Sequence, residues 1–173
     1  MVGLSALYLR IKSLGLYPTR FFIKETVFVS GAVIAAITLA AIAVFVILKK
    51  DNLCRLKSAY FWKLLAGYLT AGFLQQLFFQ FVFLETVYFL AKGNALLTVS
   101  LSAVFFSLFH FGKSIRKFYL LTLMMGFFYS GVYLLYGNLF WLALSHAVLG
   151  AFLYVLFFDD NLLTSRLGRE PSS

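Results

Sequence analysis

Long apolar runs separated by short polar connections dominate the pattern of this chain. The first run, residues 26–48, has 23 positions without a charged side chain, which is enough to cross a hydrocarbon core as a tilted helix. Four more runs follow, at 60–91, 95–111, 118–136 and 139–158. Since lipid offers the backbone no hydrogen-bond partners, we predict an all-α, polytopic membrane helix bundle over residues 26–158, with about five transmembrane helices.

The segments between and around these runs are predicted to be turns, basic loops and ends. Lys92-Gly93-Asn94 and Gly137-Asn138 have the composition of tight turns. Residues 1–25 mix apolar side chains with four basic ones and Pro18, which predicts an interfacial N-terminal segment rather than a span. Residues 159–173 are predicted to form a polar tail.

The composition agrees with a membrane protein and excludes several other classes. Apolar residues make up 62% of the 173 residues and charged residues 12%, against roughly 45–50% and about 25% in soluble domains. The net charge of +9 comes from basic residues in loops and ends, where they contact anionic lipid, so we expect no nucleic-acid partner. The single Cys54 excludes an intramolecular disulfide and a cysteine metal cluster, and we expect a free thiol.

The orientation can be predicted from the Lys and Arg residues on each side of a five-span bundle. The loops at 49–59 and 112–117 and the C-terminal tail carry nine of them, whereas the N-terminal segment and the two turns carry five. The side with more positive charge usually faces the cytoplasm. We therefore predict a cytoplasmic 49–59 loop in a multi-pass protein of the cell (inner) membrane.

Five polar side chains inside the apolar runs point to a site. They are Gln75, Gln76 and Gln80 in the second run, His110 in the third and His146 in the fifth. Hydrocarbon does not solvate such groups, so they are kept where they face a partner, a cavity or a site. At about 100° per residue, Gln76 and Gln80 share one helix face, which is expected to point inward. The sequence therefore predicts a polar site between three helices.

The order and spacing of these residues resemble the CAAX-protease and bacteriocin-processing family of intramembrane endopeptidases, also called CPBP or ABI. Gln75, Gln76 and Gln80 stand at the positions of the family's Glu-Glu-x-x-x-Arg motif. Phe106 and His110 match its Phe-x-x-x-His motif. His146 matches the first residue of a His-x-x-x-Asn motif whose last position is Gly150 here. The resemblance covers residues 60–158.

The resemblance implies a catalytic site at Gln75, Gln76, Gln80, Phe106, His110 and His146. In that family the glutamates are understood to activate a water, while the histidines hold that water or stabilise the oxyanion. A carboxamide oxygen is barely basic, so Gln75 and Gln76 remove the general base. Gln80 removes the cation that would neutralise a carboxylate. The first motif is therefore degenerate: it stays polar but has lost its charges.

Glu85 and a metal ion held by the histidines could substitute for the missing carboxylates, and we expect neither to do so. Glu85 is nine residues past Gln76, which puts it on the opposite face of a regular α-helix, as an interfacial or helix-paired carboxylate. Two histidines alone make a poor metal site, since zinc normally has three protein ligands even when catalytic. We expect no cofactor and no divalent metal.

Three functional hypotheses remain open from the sequence. The first is an intramembrane endopeptidase homologue that processes or binds a membrane-embedded or lipidated peptide or protein, with membrane lipid as its surroundings. The second is an inactive pseudoprotease that acts as a membrane binding or accessory protein. The third is a small transporter subunit. It is placed last because transporters usually have broken helices and repeated halves, whereas here both prolines lie outside the spans and no halves repeat. A neutral histidine acting as the base would restore some activity under the first hypothesis.

Overall fold

Five helices form the described part of the fold, which is a computed structural model covering residues 27–110 and 119–157. They are α1 (Val27–Leu48), α2 (Ala59–Leu90), α3 (Ala95–Phe109), α4 (Tyr119–Tyr136) and α5 (Leu139–Phe157). A short 3₁₀-helix, Lys50–Lys57, connects α1 to α2. The described ranges contain no strand, so the all-α prediction is confirmed. The predicted segments 1–25 and 159–173 lie outside the described residues.

The helices have the length and composition of membrane spans. α1, α2, α4 and α5 are each long and apolar enough to cross a bilayer, and α3 is a shorter apolar helix of 15 residues. Large apolar side chains cover their outer surfaces, as on Phe28, Leu96 and Leu135. Such a surface is stable in lipid and not in water. The protein is therefore an integral membrane protein.

Helix ends coincide with the turns that the sequence predicts. Lys92 and Gly93 have positive φ values of 51° and 80° between α2 and α3, and Gly137 has a φ of 61° between α4 and α5. Asn94 caps α3 by accepting the Leu97 N–H at 3.0 Å. These caps satisfy backbone groups that each helix end leaves without an intrahelical partner.

The helices pack in two groups, and α5 is the central element of one. It packs mainly on the first part of α2 and on α1, while α3 packs mainly on α4. In the most apolar stretch of 18 residues, 56% of α5 is buried, against 17% of the corresponding stretch of α1. Small residues allow close approach in both groups: a Cβ on Gly126 of α4 would lie 2.8 Å from Ala103 Cα of α3.

A π-helical segment, Leu77–Leu84, interrupts α2 near its middle. In a π-helix each N–H bonds the carbonyl five residues back instead of four, so each residue turns less about the axis than in an α-helix. The residues after the segment therefore face a different direction from the one that a uniform α-helix would give them. Such segments occur often at functional sites, and this one contains Gln80.

Candidate functional site

The three glutamines of α2 face the interior of the bundle to different degrees. Gln76 has 0% and Gln80 has 1% of its surface exposed, while Gln75 is partly buried. Gln76 ends the regular α-helical part of α2, and Gln80 lies one turn further in the π-helical segment. All three amides find partners on side chains, and two of those partners are the histidines.

His110 follows the last residue of α3 and is paired with Gln75. The Gln75 Nε2 amide donates to His110 Nε2 at 2.9 Å. On its other side, His110 Nδ1 lies 2.7 Å from the carbonyl oxygen of Phe106. A carbonyl can only accept, so Nδ1 carries the proton and Nε2 presents its lone pair to Gln75. The same bond satisfies a carbonyl in the last turn of α3.

His146, in the middle of α5, is paired with Gln76. The Gln76 Nε2 amide donates to His146 Nδ1 at 3.2 Å, and Gln80 Nε2 donates to Gln76 Oε1 at 3.2 Å. The glutamine pair thus fixes which way the Gln76 amide points. Since Nδ1 accepts, a neutral His146 carries its proton on Nε2, the opposite tautomer from His110.

Both imidazoles are uncharged in this arrangement. An amide nitrogen has no lone pair to offer, so a ring nitrogen 2.9–3.2 Å from it must accept a hydrogen bond. An imidazolium has no accepting nitrogen, which excludes that state for either histidine while the bond holds. The network therefore contains donors and acceptors but no formal charge.

Aromatic rings hold the two histidines next to each other. Their ring centroids are 6.0 Å apart, and Phe106 lies 4.5 Å from the His110 ring and 5.8 Å from the His146 ring. The structure thus brings together Gln75, Gln76, Gln80, Phe106, His110 and His146, the complete set singled out from the sequence. The roles of these residues in catalysis stay predictions.

A chain of hydroxyl groups beside His146 was not predicted. Thr38 of α1 donates to the Ile34 carbonyl at 2.6 Å, so its oxygen accepts from Ser145 at 2.7 Å. Tyr129 of α4 lies 3.4 Å from Ser145, and its ring centroid is 5.7 Å from that of His146. These bonds tie α1 and α4 to α5 at the residue before the histidine. Ser, Thr and Tyr are common in the chain, and nothing in their spacing marked these three.

Gly72 was also missed, although it fixes the other edge of the His146 ring. A Cβ built on Gly72 would lie 3.1 Å from His146 Cδ2, so the ring lies directly against the α2 backbone. Gln76, one turn along the same helix, holds Nδ1. Nε2 is therefore the ring nitrogen of His146 that is left for a ligand. A glycine four residues before a buried polar residue is a signal that could have indicated this packing.

Glu85 is buried, which does not support the interfacial alternative drawn from the sequence. Its side chain is 4% exposed. The expectation assumed a uniform α-helix from Gln76 onward, whereas the π-helical segment between the two residues changes the direction in which Glu85 faces. Its pairing within the bundle stays a prediction. Among the described residues that line the cavity beside the histidines, no carboxylate is present.

That cavity has a volume of about 100 Å³ and lies between the two helix groups. His110, His146 and Phe106 lie at one part of its wall. Most of the remaining described wall is apolar or aromatic: Phe45, Tyr68, Leu121, Met125, Leu149, Leu153 and Tyr154. The lining suits an apolar group that lies next to a polar one. The described residues hold no group of three His, Cys, Asp or Glu side chains placed to bind a metal ion.

Comparison with known families identifies the chain. A family model described as type II CAAX prenyl endopeptidase Rce1-like matches residues 57–152, more than half of the sequence. The chain therefore belongs to this family, and the resemblance drawn from its motifs is confirmed. No curated protein and no solved structure matches it significantly. The matched residues contain every member of the glutamine–histidine network.

Proposed function

We propose that this member of the Rce1-like family binds a membrane-embedded or lipidated polypeptide segment in the cavity beside the histidines and does not cleave it by a glutamate mechanism. One observation carries the proposal: each histidine accepts a hydrogen bond from a glutamine amide, which leaves the site neutral. A neutral, donor-containing site next to an apolar cavity suits binding of a carbonyl group on an apolar chain.

Hydrolysis would require a base to take a proton from water, and the described residues of the site offer none that is free. A carboxamide oxygen is too weak a base, and the lone pair of His110 Nε2 is bonded to the Gln75 amide. His146 Nε2 carries a proton and can only donate, so it suits a carbonyl oxygen or an oxyanion. The described site thus retains a donor that can bind a carbonyl oxygen and lacks a free base that could activate water.

Glu85 does not supply the missing base in this proposal. It lies nine positions beyond Gln76 on the same helix, which places it roughly 10 Å further along the axis. It is also absent from the described wall of the cavity. A carboxylate must come within hydrogen-bond reach of the water that it deprotonates, directly or through one further water.

The family and the lining of the cavity both support this choice of bound molecule. The family is described as acting on CAAX prenyl substrates, whose isoprenoid chain is apolar and whose peptide carries carbonyl groups. The cell membrane is the proposed location, with the basic 49–59 loop on the cytoplasmic side. The proposal invokes no metal and no cofactor.

Binding of a farnesylated CAAX peptide to the purified chain in lipid nanodiscs tests the proposal. We expect saturable binding that weakens about tenfold in His146→Ala, because the donor to the carbonyl is removed. Phe140→Ala is the matched control, since that side chain is on the same helix and 47% exposed. Absence of saturable binding by the unmodified chain, or equal binding by His146→Ala, would refute the proposal.

A further inference from the structure

The hydroxyl chain beside His146 has a fixed direction, which is set at its α1 end. The Thr38 hydroxyl donates to the Ile34 carbonyl at 2.6 Å, because a carbonyl oxygen can only accept. Thr38 has a single hydroxyl hydrogen, so Ser145 is the donor in the 2.7 Å bond between these two side chains. Ser145 has then used its own hydrogen, so Tyr129 is the donor in the next bond, at 3.4 Å. The hydrogens therefore all point from α4 through α5 toward α1.

This direction leaves the Tyr129 oxygen as a hydrogen-bond acceptor. A phenol has one O–H and accepts through the lone pairs of its oxygen. Because the O–H of Tyr129 is directed at Ser145, a lone pair is what the oxygen can offer to a further group. The Tyr129 side chain is 1% exposed and lines the cavity beside His146, with 5.7 Å between the two ring centroids. The cavity wall thus carries an acceptor next to the histidine.

His146 supplies the opposite kind of group to the same cavity. Its Nδ1 accepts from the Gln76 amide at 3.2 Å, so a neutral ring carries its hydrogen on Nε2 and can donate there. Thr122, another polar residue of the described wall, donates its hydroxyl hydrogen to the Tyr119 carbonyl at 2.9 Å, which makes its oxygen an acceptor as well. The described wall therefore presents an N–H donor together with oxygen acceptors whose hydrogens are already bonded elsewhere.

We propose that Tyr129 is a specificity-determining residue that accepts a hydrogen bond from an amide N–H of the bound polypeptide segment. A donor and an acceptor side by side match a peptide backbone, which presents C=O and N–H groups in turn. An ester has a carbonyl but no N–H, so it would leave the buried Tyr129 oxygen facing another oxygen, and a site built around a hydrogen bond rejects the analogue that lacks it. This inference rests on the proposed binding function, and it adds the residue that recognises an amide.

Substitutions that remove single hydroxyl groups separate this contact from general damage to the packing. Tyr129→Phe keeps the ring beside His146 and removes the acceptor. Tyr133→Phe is the matched control, because Tyr133 is one turn further along α4, is as fully buried and is not among the described lining residues. Ser145→Ala leaves the Tyr129 oxygen in place but removes the acceptor of its hydrogen, so the phenol becomes able to donate into the cavity.

Binding of a farnesylated CAAX peptide and of analogues that each have one backbone amide replaced by an ester, measured in nanodiscs, tests the proposal. We expect one of the esters to bind the unmodified chain about tenfold more weakly than the amide peptide does. The two should bind Tyr129→Phe alike, the ratio should fall several-fold in Ser145→Ala, and it should stay near tenfold in Tyr133→Phe. Equal binding of the amide and every ester by the unmodified chain would overturn the proposal. An unchanged ratio in Tyr129→Phe would also overturn it, by assigning the loss to the weaker ester carbonyl.

A second measurement separates this inference from the proposed function, which has failed if the amide peptide does not bind. In protein labelled with ¹³C at the phenol carbon of tyrosine, the NMR signal of Tyr129 is the one that is lost in Tyr129→Phe. N-methylacetamide should shift this signal, whereas methyl acetate, which has a similar shape but no N–H, should shift it much less. Equal shifts from the two compounds, or no shift from either, would show that the Tyr129 oxygen does not recognise an amide and would overturn the inference even where the peptide binds.

Discussion

The two glutamine–histidine pairs of the site differ in burial, and this difference predicts how each pair responds to a charged substitution. Gln76 and His146 are buried, backed by Gln80 on one side and by Gly72 on the other. Gln75 and His110 are only partly buried, at the end of α3. The first pair is held by several helices at once, whereas the second is held by one amide and one backbone carbonyl.

The two pairs should also differ in how well they tolerate a charge. A carboxylate at position 75 could pair with a protonated His110. Nδ1 of that ring already donates to the Phe106 carbonyl, and a proton on Nε2 would let the ring donate to the carboxylate as well. A carboxylate at position 76 would sit among neutral side chains with the Gln80 amide as its neighbour. Burying a carboxylate without a nearby cation is expensive.

The largest expected effect comes from placing a carboxylate in each pair separately. Gln76→Glu should lower the free energy of unfolding by about 3–5 kcal/mol, the usual range for an uncompensated buried charge. Gln75→Glu should lower it less, since the new carboxylate faces His110, which can take up a proton and become its cation. Unfolding in mixed detergent micelles measures both. Equal losses would mean that burial does not distinguish the two pairs.

A smaller effect is expected from filling the space behind His146. Gly72→Ala should destabilise the protein by about 1–2 kcal/mol, because its Cβ would lie 3.1 Å from His146 Cδ2 and the ring must shift. Gly67→Ala is the matched control on the same helix, with nothing within 4 Å, and should stabilise by about 0.5–1 kcal/mol. If both substitutions stabilise the protein alike, the ring of His146 is not held against α2.

The hydroxyl chain beside the buried pair should contribute less. Ser145→Ala removes the donor to Thr38 and the acceptor for Tyr129, which should lower the free energy of unfolding by about 1 kcal/mol. Ser107→Ala serves as the control, since the Ser107 hydroxyl bonds the Val104 carbonyl within its own helix. A loss no greater than that of the control would show that the chain does not tie α1 and α4 to α5.

Gln75 and His110, the partly exposed pair, should lie in the cytoplasmic half of the membrane. Thiol labelling tests this orientation and requires no substitution that alters stability. Cys54, exposed in the 3₁₀-helix before α2, is on the same side of the bundle as the end of α3. A membrane-impermeant maleimide should fail to label it in intact cells and should label it after permeabilisation. Ready labelling of intact cells would reverse the orientation.

Most of the helices and the members of the site could be predicted from the sequence, for a physical reason. In a membrane span the exclusion of polar groups is so strong that Gln76, His110 and His146 stand out without any knowledge of their partners. Gly93 and Gly137 likewise mark turns by themselves, because their backbone angles favour glycine. In each case the signal lies in the residue and its immediate neighbours.

The remaining features depend on contacts that the linear pattern does not contain. Nothing in Leu77–Leu84 distinguishes a π-helical segment from an α-helical one, so the burial of Glu85 could not be predicted from a uniform helix. The close contacts of Gly72 with His146 and of Gly150 with Tyr68 depend on how α2 crosses α5. A glycine in an apolar run does not show which side chain lies over it.

The most direct test of the central claim measures cleavage of a farnesylated CAAX peptide by two purified proteins. One is the unmodified chain, and the other is a variant that carries Gln75→Glu, Gln76→Glu and Gln80→Arg. We predict binding without cleavage by the unmodified chain, since losing the base alone removes about 10²–10⁴-fold of rate. The variant regains base and counter-ion together, so cleavage should appear. Cleavage by the unmodified chain that is lost in His110→Ala would contradict the account and assign the base to that histidine.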